Sequence, residues 1–250
     1  MKQLTESVWQ IDLGNANVYL LKGKQGLILI DTATHGSLRR LERKLKQQSI
    51  VLQDIKHILI THAHVDHVGG LKEIQAATQA EVWAHKFEAS IIRGETAVEL
   101  PSPDSLSQQD KLIGKMIGLM VGKRQDTAPV HHELEAGQSL HELFDGLELL
   151  HLPGHSWGHS GFYLAKQKLL IGGDVMMHLM PWLTRPLAAY TADMAQADKS
   201  IRLVNSLGLD ALAVGHGAAI MKDAATAITR LSQKITKRKP SAYTAKARHK

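Results

Sequence analysis

The chain has 250 residues, of which 44% are hydrophobic and 22% are charged, a composition that suits a globular protein with a large core. It contains no cysteine, which excludes disulfides, thiolate metal ligands and a cysteine nucleophile. No apolar run approaches the roughly 20 residues that a membrane-spanning helix needs, and residues 1–7 lack the apolar core of a signal peptide. We therefore expect a cytoplasmic protein without a membrane partner.

The formal net charge of +6 is unevenly distributed along the chain. Eight basic residues and no acidic residue follow Thr229, which leaves the preceding part of the chain with a net charge of −2. Because basic chain ends are commonly solvated, we interpret residues 236–250 as a basic tail and residues 1–235 as one domain. The slightly acidic body does not favour nucleic acid as a partner.

The first predicted elements are three short apolar strands separated by glycine-containing turns, at residues 8–11, 18–21 and 27–30. This pattern is typical of an antiparallel meander. A helix with Leu38, Leu41 and Leu45 on one face follows, and Ser37 is its expected N-cap. Asp31, at the end of the third strand, has two interpretations: a loop or capping residue, or a carboxylate that orients a metal-bound imidazole.

The densest group of chemically active residues is the segment Thr61-His62-Ala63-His64-Val65-Asp66-His67-Val68-Gly69-Gly70. It follows an apolar strand predicted at residues 55–60, whose end should place the segment at the edge of a sheet. Residues two apart in extended backbone point the same way, so His62 and His64 are expected to bind one ion. Asp66 and His67 come after the chain turns and face a neighbouring position, which suggests two metals.

Gly69 and Gly70 allow a sharp turn into a helix predicted at residues 71–78, and a strand at 81–84 follows. Strand, helix and strand form a right-handed parallel unit in most folds. His85 directly follows the second strand. A single histidine at such a boundary is more often a capping or surface residue than a metal ligand.

Residues 86–146 are interpreted as an insertion. Their main feature is an amphipathic stretch over residues 106–121 with an apolar helical stripe, Leu112, Ile113, Met116, Ile117 and Met120. Core packing is the favoured role of this stripe, and an apolar lid over a site is the alternative. His131 and His132 show no metal-ligand spacing and are left unassigned.

The second half of the chain repeats the pattern of strands that end in chemically active residues. Its predicted elements are strands at 147–150, 162–164, 169–171 and 211–214 and a helix at 192–207. His155 lies in a Pro-Gly turn, Asp174 follows two glycines, and His216 lies between two glycines. Four strands thus finish in His or Asp flanked by Gly, a pattern that chance core histidines would rarely produce.

With these residues the sequence resembles the metallo-β-lactamase superfamily over nearly its whole length, from Trp9 to about Leu231. Residues 62–67 fit the family signature H-x-H-x-D-H, and His155, Asp174 and His216 follow in the expected order. The resemblance implies an α/β (α+β) fold, the four-layer αββα sandwich, with a helical insertion.

The resemblance also implies two divalent metal ions, with zinc favoured and iron and manganese as further options. It assigns His62, His64 and His155 to one metal and Asp66, His67 and His216 to the other, with Asp174 bridging them. It implies a hydrolase in which a metal-bridging hydroxide attacks the carbonyl of a lactone, ester or thioester with an apolar acyl part. Asp66 and Asp174 are the expected catalytic residues, and His159 is expected either to support a ligand or to pack within a strand.

The departures from subfamily patterns narrow this expectation. An aspartate at position 174 and the absence of cysteine argue against antibiotic hydrolysis, and the segment after His216 is short for a glyoxalase II. Homoserine-lactone lactonases share the seven ligands but often carry a tyrosine where Met177 stands. The Met-rich stretch that contains Met176 and Met177 and runs to Trp182 is expected either to line an apolar pocket or to pack in the core. A mononuclear iron dioxygenase, a nucleic-acid phosphodiesterase and a homodimeric state are the alternatives left open.

Overall fold

The computed structural model describes residues 1–14, 16–121 and 126–237, apart from the side chains of residues 120 and 121. The strands are β1 Lys2–Thr5, β2 Val8–Asp12, β3 Asn17–Lys22, β4 Leu27–Ile30, β5 Ile55–Ile60, β6 Glu81–His85, β7 His132–Leu134, β8 Leu147–His151, β9 Ser160–Leu164, β10 Leu169–Ile171, β11 Met177–Leu179, β12 Trp182–Thr184 and β13 Ala211–Ala213. The α-helices are α1 Leu38–Lys46, α2 Val65–Val68, α3 Leu71–Thr78, α4 Lys86–Ile92, α5 Gln108–Val121, α6 Met194–Ser206 and α7 Ala224–Lys237.

The first sheet contains seven strands in sequence order, β1 to β7. Strands β1 to β4 pair antiparallel, which confirms the predicted meander, and β4 to β7 pair parallel. The strand predicted at residues 55–60 is β5, and the helix predicted at 71–78 is α3. Strand β1 was not predicted, because its sequence Lys-Gln-Leu-Thr lacks an apolar pattern.

The second sheet contains four strands in the order β13-β10-β9-β8. Strand β10 lies parallel to β13 and antiparallel to β9, so the ends of β10 and β13 reach the same edge. These four strands confirm those predicted in the second half of the chain. A separate two-stranded hairpin, β11-β12, follows β10 and was not predicted.

Side chains along each strand point alternately to the two faces of the sheet, and the apolar side chains therefore form three separate clusters. In β3, Tyr19 and Leu21 point between the two sheets, where they meet Phe162, whereas Val18 and Leu20 point to the opposite face. That outer face packs against α1, α3 and α4, and helices α6 and α7 cover the outer face of the second sheet. The layers are therefore helix, sheet, sheet and helix, which confirms the predicted αββα sandwich.

Ser37 occupies the predicted N-cap position of α1, but its hydroxyl does not cap the helix; it donates a hydrogen bond to the Thr32 carbonyl at 2.6 Å. The core-packing interpretation of the apolar stripe was wrong. The stripe on α5 does not pack in the core, since Leu112 is 60% exposed and Met116 57% exposed. The helix lies on the surface because its inner face covers a cavity rather than a sheet. The side chain of Met120, also assigned to the stripe, lies outside the described part of the chain.

The bounds of the insertion at residues 86–146 and of the domain at residues 1–235 stay predictions. Within the described ranges α7 continues to Lys237, and the remainder of the predicted basic tail, residues 238–250, lies outside them. Among the helices described here, none combines the length and the apolarity that crossing a membrane would require.

The core between the sheets gives a test of the fold. Phe162 has no exposed surface, so we expect Phe162→Ala to lower the free energy of unfolding by about 3–5 kcal/mol, through lost burial and the cavity left behind. Urea denaturation of the metal-free protein measures this change. Leu203→Ala, at a side chain that is 49% exposed on α6, is the matched control and should change the free energy by less than about 0.5 kcal/mol. Equal losses in the two variants would contradict the assigned core.

Candidate metal centre

The seven residues that the sequence analysis assigned as metal ligands lie together at one edge of the sandwich. They come from the loop after β5 and helix α2, from the loop between β8 and β9, and from the turns after β10 and β13: His62, His64, Asp66, His67, His155, Asp174 and His216. They form overlapping groups of three in which the nitrogen or oxygen atoms all lie within 4.8 Å of one another.

One group consists of His62, His64 and His155. Their ring centroids are 4.6 to 4.8 Å apart and the rings meet edge to face, so the three imidazoles surround a common point. All three side chains are buried. This arrangement leaves three nitrogens of one site facing each other.

A second group consists of Asp66, His67 and His216, with Asp174 between the two groups. The His216 Nε2 atom lies 3.3 Å from Asp66 Oδ2 and 3.2 Å from Asp174 Oδ2. Asp174 also contacts the Nε2 atoms of His67, at 3.5 Å, and of His155, at 3.6 Å. Its carboxylate is thus placed to contact cations on both sides.

Unpaired polar atoms show that this site fits metal ions. Of the nine buried side-chain atoms without a hydrogen-bond partner among the described residues, five belong to the assigned ligands, namely Nε2 of His62, His64, His67 and His155 and Oδ1 of Asp174. An unpaired buried polar atom is costly, and buried polar groups in native proteins are almost always paired. Imidazole nitrogens and a carboxylate are ligands that divalent transition metals prefer. Bound cations would give all five atoms a partner.

Neighbouring side chains hold His62 and His67 in the tautomer that metal binding needs. Asp31 Oδ2 accepts a hydrogen bond from His67 Nδ1 at 2.8 Å and another from the Thr61 hydroxyl at 2.8 Å. Because the Thr61 hydroxyl donates to Asp31, its oxygen accepts from His62 Nδ1 at 3.0 Å. Both histidines therefore keep a proton on Nδ1 and direct Nε2 into the site, where Nε2 binds a cation in its deprotonated form. Asp31 orients a ligand, the second of its two predicted interpretations.

A similar arrangement holds His155. The Thr191 hydroxyl donates to the Leu187 carbonyl at 2.8 Å, so its oxygen accepts from His155 Nδ1 at 3.1 Å. Thr191 follows a turn that no motif marks, so no signal in the sequence pointed to it. Thr61, in contrast, directly precedes His62 inside the central segment, and its position was a usable signal.

His159 supports the turn that carries Asp174. Its Nε2 atom accepts a hydrogen bond from the Asp174 backbone amide at 3.0 Å, and the side chain is fully buried. Gly173, with φ of 50°, leaves no room for a side chain, since a Cβ atom would lie 2.8 Å from Thr61 and 3.0 Å from His159. His159 thus supports a ligand, one of the two roles predicted for it. His85 caps α4 by accepting from the Phe87 amide, as predicted.

The two groups differ in their protonation without metal. Burial and the neighbouring imidazoles lower the pKa of His62 and His155 well below the ordinary value, and burial lowers the pKa of His64 to about 4. These three side chains are therefore neutral near pH 7. Neutral imidazole is the form that binds a metal ion.

The second group is held in a charged state. Burial lowers the pKa of His67, but Asp31 and Asp174 more than offset this and raise the pKa to about 9. Burial has the same effect on His216, and Asp174 and Asp66 raise its pKa to about 11. The pKa of Asp66 falls to about 2, because the hydrogen bond from His216 outweighs burial. Both histidines are thus protonated near pH 7 until a cation replaces the protons.

A cavity of about 930 Å³ opens onto both groups. Asp66, His64, His155, Asp174 and His216 line its floor, and apolar side chains line its wall, namely Val65, Val98, Leu100, Ile117, Leu119, Met177, Leu187 and Tyr190. Helix α5 forms part of this wall, so the insertion covers the site as the alternative lid interpretation expected. Met177 lines the cavity, whereas Met176 is buried in the core beneath the second sheet, so each of the two predicted roles of this stretch is found at one residue.

Tyr190, which the sequence analysis missed, connects this lid to the metal centre. Its hydroxyl donates to the Gly114 carbonyl of α5 at 2.7 Å, and its ring lies 6.5 Å from the ring of His64. A smaller cavity of about 480 Å³ reaches His216 from the other side.

Comparison with known proteins agrees with this geometry. The sequence model of the metallo-beta-lactamase superfamily matches residues 11–216. The chain is 26% identical over 216 residues to the probable metallo-hydrolase YflN of Bacillus subtilis, covering 81% of this chain and 80% of that protein. It is 26% identical over 141 residues to the hydroxyacylglutathione hydrolase GloC of Haemophilus influenzae, covering 56% and 58%. The structure of a metallo-beta-lactamase family protein from Thermus thermophilus has the same fold, with a TM-score of 0.68, 24% identity and coverage of 94% of this chain and 81% of that one.

The protonation difference predicts how metal binding depends on pH. A cation that binds Asp66, His67 and His216 must displace the protons of both histidines, so we expect release of about two protons at pH 7.5 and none from the group of three neutral histidines. The affinity of the second group should rise with pH, by about a hundredfold per unit below pH 9, because two protons leave per ion. Zinc titration calorimetry in buffers of different ionisation enthalpy measures the release.

His216→Asn is the control for this measurement, since it removes one of the two protonated imidazoles. When a cation binds Asp66 and His67 in this variant, the number of protons released should fall to about one. Equal release from the two binding steps of the unsubstituted protein would contradict the assigned protonation states.

Proposed function

Because the chain belongs to the metallo-β-lactamase superfamily, we propose that it is a binuclear metal-dependent hydrolase that cleaves a lactone, ester or thioester with an apolar acyl part. The observation that carries this proposal is the position of the unpaired ligand-type atoms of His64, His155 and Asp174 at the floor of an apolar cavity, grouped with those of His62 and His67. The family and the geometry support a more general conclusion on their own. The chain is a member of a metallo-hydrolase family and has a cluster of His and Asp side chains suited to divalent metal ions.

The proposed ligand set follows the two groups. His62, His64 and His155 would hold one ion, Asp66, His67 and His216 would hold the other, and Asp174 would contact both. When bound, two divalent ions lower the pKa of water and polarise a carbonyl oxygen, so the protein needs no nucleophilic side chain of its own. Zinc is the proposed metal, and iron or manganese suits the same ligands.

The remaining chemistry belongs to side chains of the chain itself. Asp66 lines the cavity and is only partly buried, so its carboxylate can accept a proton during attack and return it to the leaving group. Asp174 contacts the imidazole of His155 in one group and those of His67 and His216 in the other. Asp31 and Thr61 keep His62 and His67 in one orientation, which fixes the floor on which a carbonyl group would lie.

The lining of the cavity supports an apolar acyl group. The wall side chains are aliphatic or aromatic, and Lys115 is the one lysine or arginine among the residues that line the cavity in the described structure. Beyond the metal ions themselves, this wall therefore offers a phosphodiester at most one cationic side chain and offers an acyl chain mostly apolar surface. The name of the relative from Haemophilus influenzae, a hydroxyacylglutathione hydrolase, supports the inclusion of thioesters.

A substrate panel tests the proposal. Protein loaded with zinc, manganese or iron should hydrolyse acyl lactones, esters or thioesters, and kcat/KM should rise about fourfold for each added methylene until the acyl chain fills the cavity. Steady-state assays with an acyl-chain series measure this dependence, with a phosphodiester and a β-lactam as negative controls. Activity confined to phosphodiesters, or oxygen consumption by the iron form alone, would refute the carbonyl hydrolase and favour one of the alternatives.

Asp174→Ala tests the proposed bridge. Removing the shared carboxylate should reduce the bound metal from two ions to one and lower kcat by at least about a hundredfold, while the far-ultraviolet circular dichroism stays unchanged. Asp210→Ala, at an exposed aspartate before β13, is the matched control and should retain two ions. Elemental analysis of the purified proteins gives the stoichiometry. Two tightly bound ions in Asp174→Ala would show that Asp174 does not bridge.

A further inference from the structure

We propose that Glu88 is a positioning residue that holds the two loops of the three-histidine group at a fixed distance from each other. The inference rests on the ligand set of the proposed function. Glu88 lies on α4, is 1% exposed, and is not one of the residues that line the cavity. It therefore acts through other groups and not on a substrate.

The carboxylate of Glu88 joins two distant parts of the chain. Its Oε2 atom accepts a hydrogen bond from the Ala63 amide at 2.7 Å. Its Oε1 atom accepts from the Ser156 hydroxyl at 2.7 Å and from the Gly158 amide at 2.8 Å. One carboxylate thus links the loop after β5 to the loop between β8 and β9, which belong to different sheets.

These two loops carry all three histidines of the group. Ala63 lies between His62 and His64 in sequence, and Ser156 directly follows His155. A shift of either loop relative to the other would separate His155 from the other two imidazoles. The contacts of Glu88 therefore set the size of the triangle that the three rings form.

The packing around Gly158 is independent support for a tight junction at this place. A Cβ atom at Gly158 would lie 2.7 Å from Glu88 Oε1 and 2.9 Å from His85 Nδ1, so only glycine lets the loop approach α4 this closely. A buried carboxylate is costly compared with an apolar side chain of the same size. Here that carboxylate accepts three hydrogen bonds from two loops at once, which an apolar side chain could not do.

Glu88→Gln tests the proposal with little change of volume. The amide can accept from one loop, but its NH2 group then faces a donor of the other loop, so the loops should move apart. We expect the affinity of the three-histidine group for zinc to fall about tenfold, with the second group unchanged. Competition with a chromophoric chelator measures both constants, and His155→Ala identifies which of the two belongs to this group.

The absorption spectrum of the cobalt-substituted protein is the second measurement, because its bands report ligand geometry and not global stability. We expect the bands of the three-histidine site to shift in Glu88→Gln. Glu73→Gln is the matched control, since Glu73 on α3 also accepts from a backbone amide, that of Gly36 at 2.6 Å, but touches neither loop. It should leave both the affinity and the spectrum unchanged.

Ser156→Ala removes one of the three donors and should give a smaller change in the same direction. This variant decides the question if Glu88→Gln does not fold. Unchanged zinc affinity and an unchanged cobalt spectrum in folded Glu88→Gln, or in Ser156→Ala where the first does not fold, would overturn the proposal. Both measurements use metal binding and not hydrolysis. A protein that binds two ions but hydrolyses no ester would refute the proposed function, and the role of Glu88 would still be decided by these measurements.

Discussion

The arrangement of this protein depends on a cluster of buried imidazoles and carboxylates at the edge where its two sheets meet. Four histidine nitrogens and a carboxylate oxygen there have no partner among the described residues. Removing such groups from water is unfavourable unless they gain a partner. The apolar layer between the sheets, with Phe162 and Tyr19 at its centre, supplies the stability that lets the strand ends hold this cluster together.

A layer of hydrogen bonds around the cluster orients four of its residues, His62, His67, His155 and Asp174. Asp31 and Thr61 direct one pair of histidines, Thr191 directs His155, and His159 holds the backbone of Asp174. Burial keeps the group of His62, His64 and His155 neutral, whereas the carboxylates of Asp31, Asp66 and Asp174 keep His67 and His216 protonated. An ion that binds the second group would therefore have to displace protons, whereas an ion that binds the three neutral histidines would not.

Helix α5 and the segment before it supply half of the apolar wall of the cavity, namely Val98, Leu100, Ile117 and Leu119. Helix α5 turns Ile117 toward the cavity and leaves Leu112 and Met116 largely exposed, so it is held by contacts with the turn at residues 188–190 and by the Tyr190 hydrogen bond and not by the core. Such a weakly buried element can change between relatives without disturbing the sandwich. The residues suited to bind metal thus lie at the ends of the sheet strands, whereas α5, which contacts the cavity, would influence which substrate fits.

The sequence by itself determined most of the strands and the ligand-type residues at their ends, because periodicity and the glycines at strand ends are local signals. The resemblance to the superfamily supplied the layered fold and the assignment of the seven candidate ligands. The segment of residues 61–70 and the glycines beside Asp174 and His216 were enough to place these groups at one edge. The sequence offered Asp31 and His159 as possible supports of the ligands, but it did not determine the other residues that orient them. Thr191, Tyr190 and Glu88 lie in segments without a motif, and α5 carries a stripe whose pattern favours core packing, although the helix lines the cavity. Only the tertiary structure decided these roles, because they depend on contacts between residues such as Glu88 and Ser156 that are far apart in sequence and meet only when the two sheets pack.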